Sequence, residues 1–222
     1  MGMFPVAARA TLHHWEEPCI SGTRGTGAVF FSGCTLGCSY CRNAPISHGG
    51  LGKALPVQAL ADVFRRLVDG ESALSLSPVS PTHFIPAIIV ALDIYQPPVP
   101  VVYNCGGYES PGTIRQLDGL VDVFLPNFKH VSARLSQLLA HARDYANAAI
   151  PAIKEMCRQT GSAEYNAQGI MTRGTLIRRL VLPGCTGGSL QVLDTNRHHF
   201  PVGTGVSLMS QYTPQPGCAT PG

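Results

Sequence analysis

The sequence predicts an α/β fold, a partial (β/α)6 barrel built on a parallel sheet. Three observations lead there. Over 222 residues, six short apolar runs of strand character alternate with longer amphipathic ones. No gap between successive runs reads as a tight hairpin turn, so each must be a crossover, and crossovers join parallel neighbours. Polar and reactive residues gather just after the runs, where (β/α) barrels build their sites. A doubly wound sheet is the fallback.

In chain order the strand runs are residues 28–32, 73–76, 99–104, 122–126, 175–181 and 206–209. The helix after the first covers 57–68, with Leu60, Val63, Phe64, Leu67 and Val68 on one face at helical spacing. Residues 84–95, 113–117, 132–141 and 145–159 give further helices, the last with Ala148, Ile150, Ile153 and Met156 as its apolar side. After Leu190 a helix starts through Val192 and Leu193, and 196–205 reads as loop. Residues 1–222 form one domain: a lead over 1–24, a barrel core over 25–212 and a flexible tail rich in Pro, Gly and Thr over 213–222.

Composition narrows the function. Charged residues are 13% of the chain, about half the usual share, and a net charge of +3 is too small and scattered to imply nucleic acid. No apolar run approaches the ~18–20 residues of a membrane span. Residues 1–12 have no convincing secretory core or cleavage site. Eight cysteines permit a disulfide framework, but a chain of this size has a core without one. A reducing compartment follows, most simply the cytoplasm.

The segment Gly33-Cys34-Thr35-Leu36-Gly37-Cys38-Ser39-Tyr40-Cys41 holds the spacing CxxxCxxC directly after the first strand run. Chance would place it about 0.01 times in a chain of this cysteine content. Buried free thiols and a zinc site are the other readings. Structural zinc prefers four ligands in paired knuckles, and no second CxxC follows, although Cys105, Cys157 or Cys185 could supply a fourth ligand. Three thiolates on a 4Fe–4S cluster leave one iron without a protein ligand, where a chelating cofactor can bind. Gly33 and Gly37 are expected to take positive φ as the chain wraps the cluster, with amides close to the sulfurs.

Other candidates sit at the remaining strand ends. Asn104 presents an amide suited to hydroxyl groups, or is a turn residue before Gly106-Gly107. His83 follows Thr82 and reads equally as a loop histidine capping the next helix. Lys129 is a cation ending an apolar strand, where simple solvation is less expected. Cys19, Cys157 and Cys218 read as unremarkable. His13-His14 and His198-His199 carry no metal assignment.

These residues resemble the radical S-adenosylmethionine superfamily, and within it the uncharacterised homologues of pyruvate formate-lyase activating enzyme. The cysteine motif with Tyr40 before its third cysteine carries the likeness. So do the segment from Ile20 to Ser32, Pro81-Thr82-His83-Phe84, and Tyr103-Asn104-Cys105-Gly106-Gly107-Tyr108-Glu109. Leu125-Pro126-Asn127-Phe128-Lys129, Arg179-Leu180-Val181-Leu182-Pro183-Gly184 and Leu208-Met209-Ser210-Gln211-Tyr212 complete it. The resemblance implies a 4Fe–4S cluster on Cys34, Cys38 and Cys41, with S-adenosylmethionine cleaved to a 5′-deoxyadenosyl radical. It further implies a reduced flavodoxin or ferredoxin-like electron donor and a glycyl-radical enzyme as partner. By the same likeness Tyr40 lies near adenine, and Thr82 and His83 present backbone to the cofactor's amino group. Lys129 then faces the cofactor carboxylate or the substrate, as the catalytic cation. Asn127 stands where relatives carry an acidic residue that helps to hold a monovalent cation, so weak cation dependence is expected. Relatives usually carry further segments at both ends, whose lack would leave the barrel less covered. A non-catalytic 4Fe–4S protein and a zinc-binding module are the alternative functions.

Overall fold

The computed structural model describes residues 4–214; Cys218 and the end of the expected tail lie outside the described residues. The chain enters through β1 (Val6–His13), makes a short helix α1 (Pro18–Ser21) and turns into β2 (Thr26–Phe31). After the cysteine segment come α2 (Ala44–Ser47), β3 (Lys53–Ala54) and α3 (Val57–Arg65), extended by one wider turn over Arg66–Gly70. Then β4 (Leu76–Val79), α4 (Ile85–Ile94), β5 (Val102–Cys105), α5 (Pro111–Arg115) and β6 (Val123–Pro126) alternate. Two helices follow, α6 (Ala133–Ala140) and α7 (Tyr145–Thr160). The last elements are β7 (Glu164–Tyr165), β8 (Met171–Leu180), α8 (Thr186–His199) and β9 (Gly205–Met209).

The sheet is largely parallel. Strands β2, β4, β5, β6, β8 and β9 pair in parallel and in sequence order. This is the singly wound order of a (β/α)6 barrel; a doubly wound sheet would reverse direction partway. Helical crossovers of one hand produce such an order, since right-twisted strands return consistently to the same side. Between the sheet and its helices lies the main core, including Phe64 and Leu67 from α3, Ile88 from α4, and Ala149, Ile153 and Met156 from α7. On the other face a small cluster of Val102, Val123, Leu125, Met171 and Leu176 packs around Ile20 of α1. The short helix thus packs on the face of the sheet opposite the main core.

Several expectations are corrected. Strands β1 and β3 extend the sheet antiparallel beyond β2, and β7 pairs antiparallel with β8. None was expected: β1 is half-buried on both faces without alternation, and β7 is two exposed residues. The second barrel strand is Leu76–Val79, displaced from 73–76. Pro78 argues against a strand because it lacks an N–H. It is tolerated because β4 meets β5 only at Leu76 and Val79, on either side of it. Helix α8 begins at Thr186 and runs to His199, through residues read as loop, with Ser189, Val192 and Asn196 buried. That face has one strongly apolar residue, too weak a period to read from sequence.

Candidate functional site

A cavity of about 480 Å³ opens at the C-terminal ends of the parallel strands. Cys34, Cys38, Cys41, Tyr40, Asn104, Asn127 and Lys129 all line it. Parallel strands in sequence order bring successive loops to one mouth. These seven residues come from the ends of three strands and the loops that follow them, although nearly 100 positions separate Cys34 from Lys129.

The cysteine loop is held from both sides. Gly33 takes φ +91°, and its amide donates to Ile46 O at 3.1 Å. A side chain there would meet His83 Nε2 at 3.0 Å. Gly37 does not take positive φ, which corrects the expectation for it. Its amide donates to Ala140 O at 3.2 Å, and Ser39 N donates to Leu139 O at 3.0 Å. The last carbonyls of α6, which no intrahelical amide can reach, therefore anchor the loop. Within the loop the Leu36 amide donates to Cys34 Sγ at 3.4 Å, and Cys41 Sγ lies 3.2 Å from Ser47 Oγ.

Lys129 Nζ stands over the Tyr40 ring, 5.8 Å from its centroid. Burial by itself would lower the Lys129 pKa, but Cys38, Tyr40, Cys34 and Cys41 together hold it above the usual lysine value. Burial raises the Cys34 thiol, opposed by the Leu36 amide and Lys129. The donor chemistry suits an iron–sulfur cluster: three thiols in one loop, an amide on a sulfur and a neighbouring cation. Among the described residues no three His, Cys, Asp or Glu converge as one bound metal ion requires. Zinc would hold each sulfur about 2.3 Å from a single centre. A 4Fe–4S cluster places each thiolate on a different iron and accepts a wider spacing. All seven described cysteines are free.

Thr82 and His83 do not line this cavity. Thr82 Oγ1 donates to Glu109 Oε1 at 2.9 Å and accepts from Tyr103 OH at 3.1 Å. His83 Nε2 lies 2.6 Å from Ser32 O, bracing the strand end where the cysteine loop begins. Asn127 Nδ2 donates to Cys105 O at 2.8 Å. Asn104 Nδ2 donates to Glu16 Oε2 at 3.0 Å. Sequence reasoning missed the network around that carboxylate. Arg178 pairs with Glu16 at 3.0 Å and with Glu17 at 2.8 Å, and Ser207 Oγ donates to Glu17 at 3.1 Å. Burial, with Glu17 nearby, raises the Glu16 carboxyl against the pull of Arg178. Also missed were Arg179, which lines the cavity, and His130 behind Tyr40. Cys105 lines it too and stays a thiol, since burial and then Glu109 push its pKa well up.

This fold matches that of the radical S-adenosylmethionine enzymes. The chain is similar to SuiB of Streptococcus suis, with a TM-score of 0.55 and 14% identity over 82% of this chain and 40% of that one. It is similar to HydG, a maturase of the FeFe-hydrogenase, with a TM-score of 0.56 and 14% identity over 82% of this chain and 41% of that one. At such identity the likeness is one of fold. In sequence it is 25% identical over 215 residues to the uncharacterised protein MJ0674 of Methanocaldococcus jannaschii, covering 92% of this chain and 57% of the relative. The chain thus spans little more than half the length of that relative. No family model matches the sequence. Among the described residues no helix is long and apolar enough to cross a membrane.

Proposed function

We propose that this chain is a radical S-adenosylmethionine enzyme in which Cys34, Cys38 and Cys41 ligate a 4Fe–4S cluster and leave one iron for the cofactor. The observation that carries the reading is the shared cavity, in which the three thiols, Tyr40, Asn104, Asn127 and Lys129 face one mouth of a (β/α) fold. When bound, cluster and cofactor supply the one-electron cleavage that yields a 5′-deoxyadenosyl radical for hydrogen abstraction. The protein positions and shields. Lys129 offsets the negative charge of the thiolates and is placed to meet a carboxylate of cofactor or substrate. The Asn104 and Asn127 amide groups donate inward, to Glu16 and to the Cys105 carbonyl, which leaves each Oδ1 as an acceptor for hydroxyl or ammonium. With a neutral amide at 127, cofactor binding should depend little on a monovalent cation.

The narrower assignment is a cytoplasmic glycyl-radical activase, reduced by a flavodoxin or ferredoxin-like donor. It rests on the likeness to activating enzymes, and HydG, as a maturase, also acts on behalf of another enzyme. Anaerobic reconstitution should give about four irons and four sulfides per chain, and Cys38→Ala should lose most of them. Reductant and S-adenosylmethionine should then yield 5′-deoxyadenosine. A full iron complement in Cys38→Ala would overturn the ligand assignment. Iron without 5′-deoxyadenosine would leave a non-catalytic cluster protein.

A further inference from the structure

Helix α8 starts on the sequence Thr186-Gly187-Gly188-Ser189, just past the mouth end of β8. The first amides of a helix have no intrahelical acceptor. Here Cys185 at the N-cap supplies no side-chain cap, and no acidic residue stands in the first turn. The Ser189 amide donates to Cys185 O at 3.2 Å, and among the described residues nothing accepts from those of Thr186, Gly187 or Gly188.

A second feature meets this helix end. Arg179 is 1% exposed, yet it pairs with no carboxylate among the described residues. Its Nε donates to Ser189 Oγ at 3.1 Å, while Nη2 has no partner. Nη2 lies 3.8 Å from the point where a Cβ on Gly188 would stand, so the guanidinium rests against the first turn of α8. The groups acting on it are Tyr40, Cys185 and Tyr145, and Lys129 shares its neighbourhood at His130. A buried cation beside the positive end of a helix dipole is doubly unfavourable, unless an anion lies between them. Gly187 and Gly188 have no side chains to cover the free amides, and nothing stands within 4 Å of a Cβ position at Gly187.

We propose that the α8 first turn and Arg179 form an oxyanion-binding site that receives a phosphoryl or carboxylate group. Amides aimed along the helix axis and a guanidinium beside them are the donors such a group takes. Arg179 also lines the cavity that contains the three cysteines. Thr186, Gly187, Gly188 and Ser189 do not line that cavity, so Arg179 is the link between the two. An oxyanion held through Arg179 belongs to the molecule acted on there, which makes the substrate class an acidic one; this last step rests on the proposed function, and the site itself does not.

The test titrates orthophosphate and, separately, acetate into the anaerobically reconstituted full chain, with chloride balancing ionic strength. Binding is read by calorimetry and by the melting temperature. At least one of the two anions should bind, and the tighter one names the group, phosphoryl or carboxylate. Arg179→Gln should weaken it tenfold or more, and Arg179→Lys less. Gly187→Asp sets a carboxylate on the free amides and should abolish binding, which keeps the test decisive if Arg179→Gln does not fold. Iron content and 5′-deoxyadenosine are read on the same samples, so a failed anion site is told apart from failed radical chemistry. Protection no greater than that by chloride, or unchanged binding in Arg179→Gln, would overturn the site.

Discussion

Tyr40 and His130 meet behind the cysteine loop, Tyr40 OH 3.2 Å from His130 Nε2 with the rings edge to face. His130 is fully buried, and burial, then Arg179 and Lys129, lowers its pKa to about 3. The folded state therefore keeps it neutral while the unfolded chain protonates near pH 6.5. A depressed histidine contributes stability that is complete above its unfolded pKa and is lost as pH falls toward its folded one. Unfolding free energy should drop between pH 6.5 and 4, by up to about 1.4 kcal/mol per pH unit. His130→Gln should flatten that slope in urea titrations; an unchanged slope would show that another group sets it. Tyr40 and Lys129 stand out in sequence because a motif and a strand end mark them. His130 does not, since its partner lies 90 positions away.

At the scale of elements, the cysteine loop depends on where α6 ends. The stop is made by His141, in left-handed conformation at φ +57° after Ala140. It leaves the Leu139 and Ala140 carbonyls free for the Ser39 and Gly37 amides. That conformation costs a residue with a Cβ about 1 kcal/mol, whereas glycine takes it freely. His141→Gly should raise stability by up to about 1 kcal/mol in chemical denaturation and keep the iron content. A loss of stability would mean that the imidazole makes a contact worth more than the strain. The helix itself was legible over 132–141, and the structure adds Ser132 as its cap. That its end carries the cysteine loop was not, because docking joins segments about 100 residues apart.

For the whole molecule, the lead before β2 is part of the barrel. Ile20 packs inside the sheet, while Glu16 and Glu17 tie that lead to Arg178 on β8. All three side chains are at most 14% exposed, so removing the cation strands two buried carboxylates. Arg178→Met should cost about 3–5 kcal/mol, more at pH 8 than at pH 5, where the Glu16 carboxyl, already raised by burial, can take up a proton. Equal unfolding midpoints for parent and variant would show that the pairs are not what joins lead to barrel. The amino-acid sequence by itself determined the parallel α/β class and the three-thiol loop. Crossover spacing, helical period and a nine-residue motif are local properties that the chain carries wherever it folds. Only the tertiary structure decided that β1, β3 and β7 widen the sheet and that Thr82 and His83 stand back from the cavity. It alone set Glu16 on Arg178 and Arg179 against the start of α8. Each depends on which distant segments pack together and which charges are thereby taken out of water, and no local spacing encodes that.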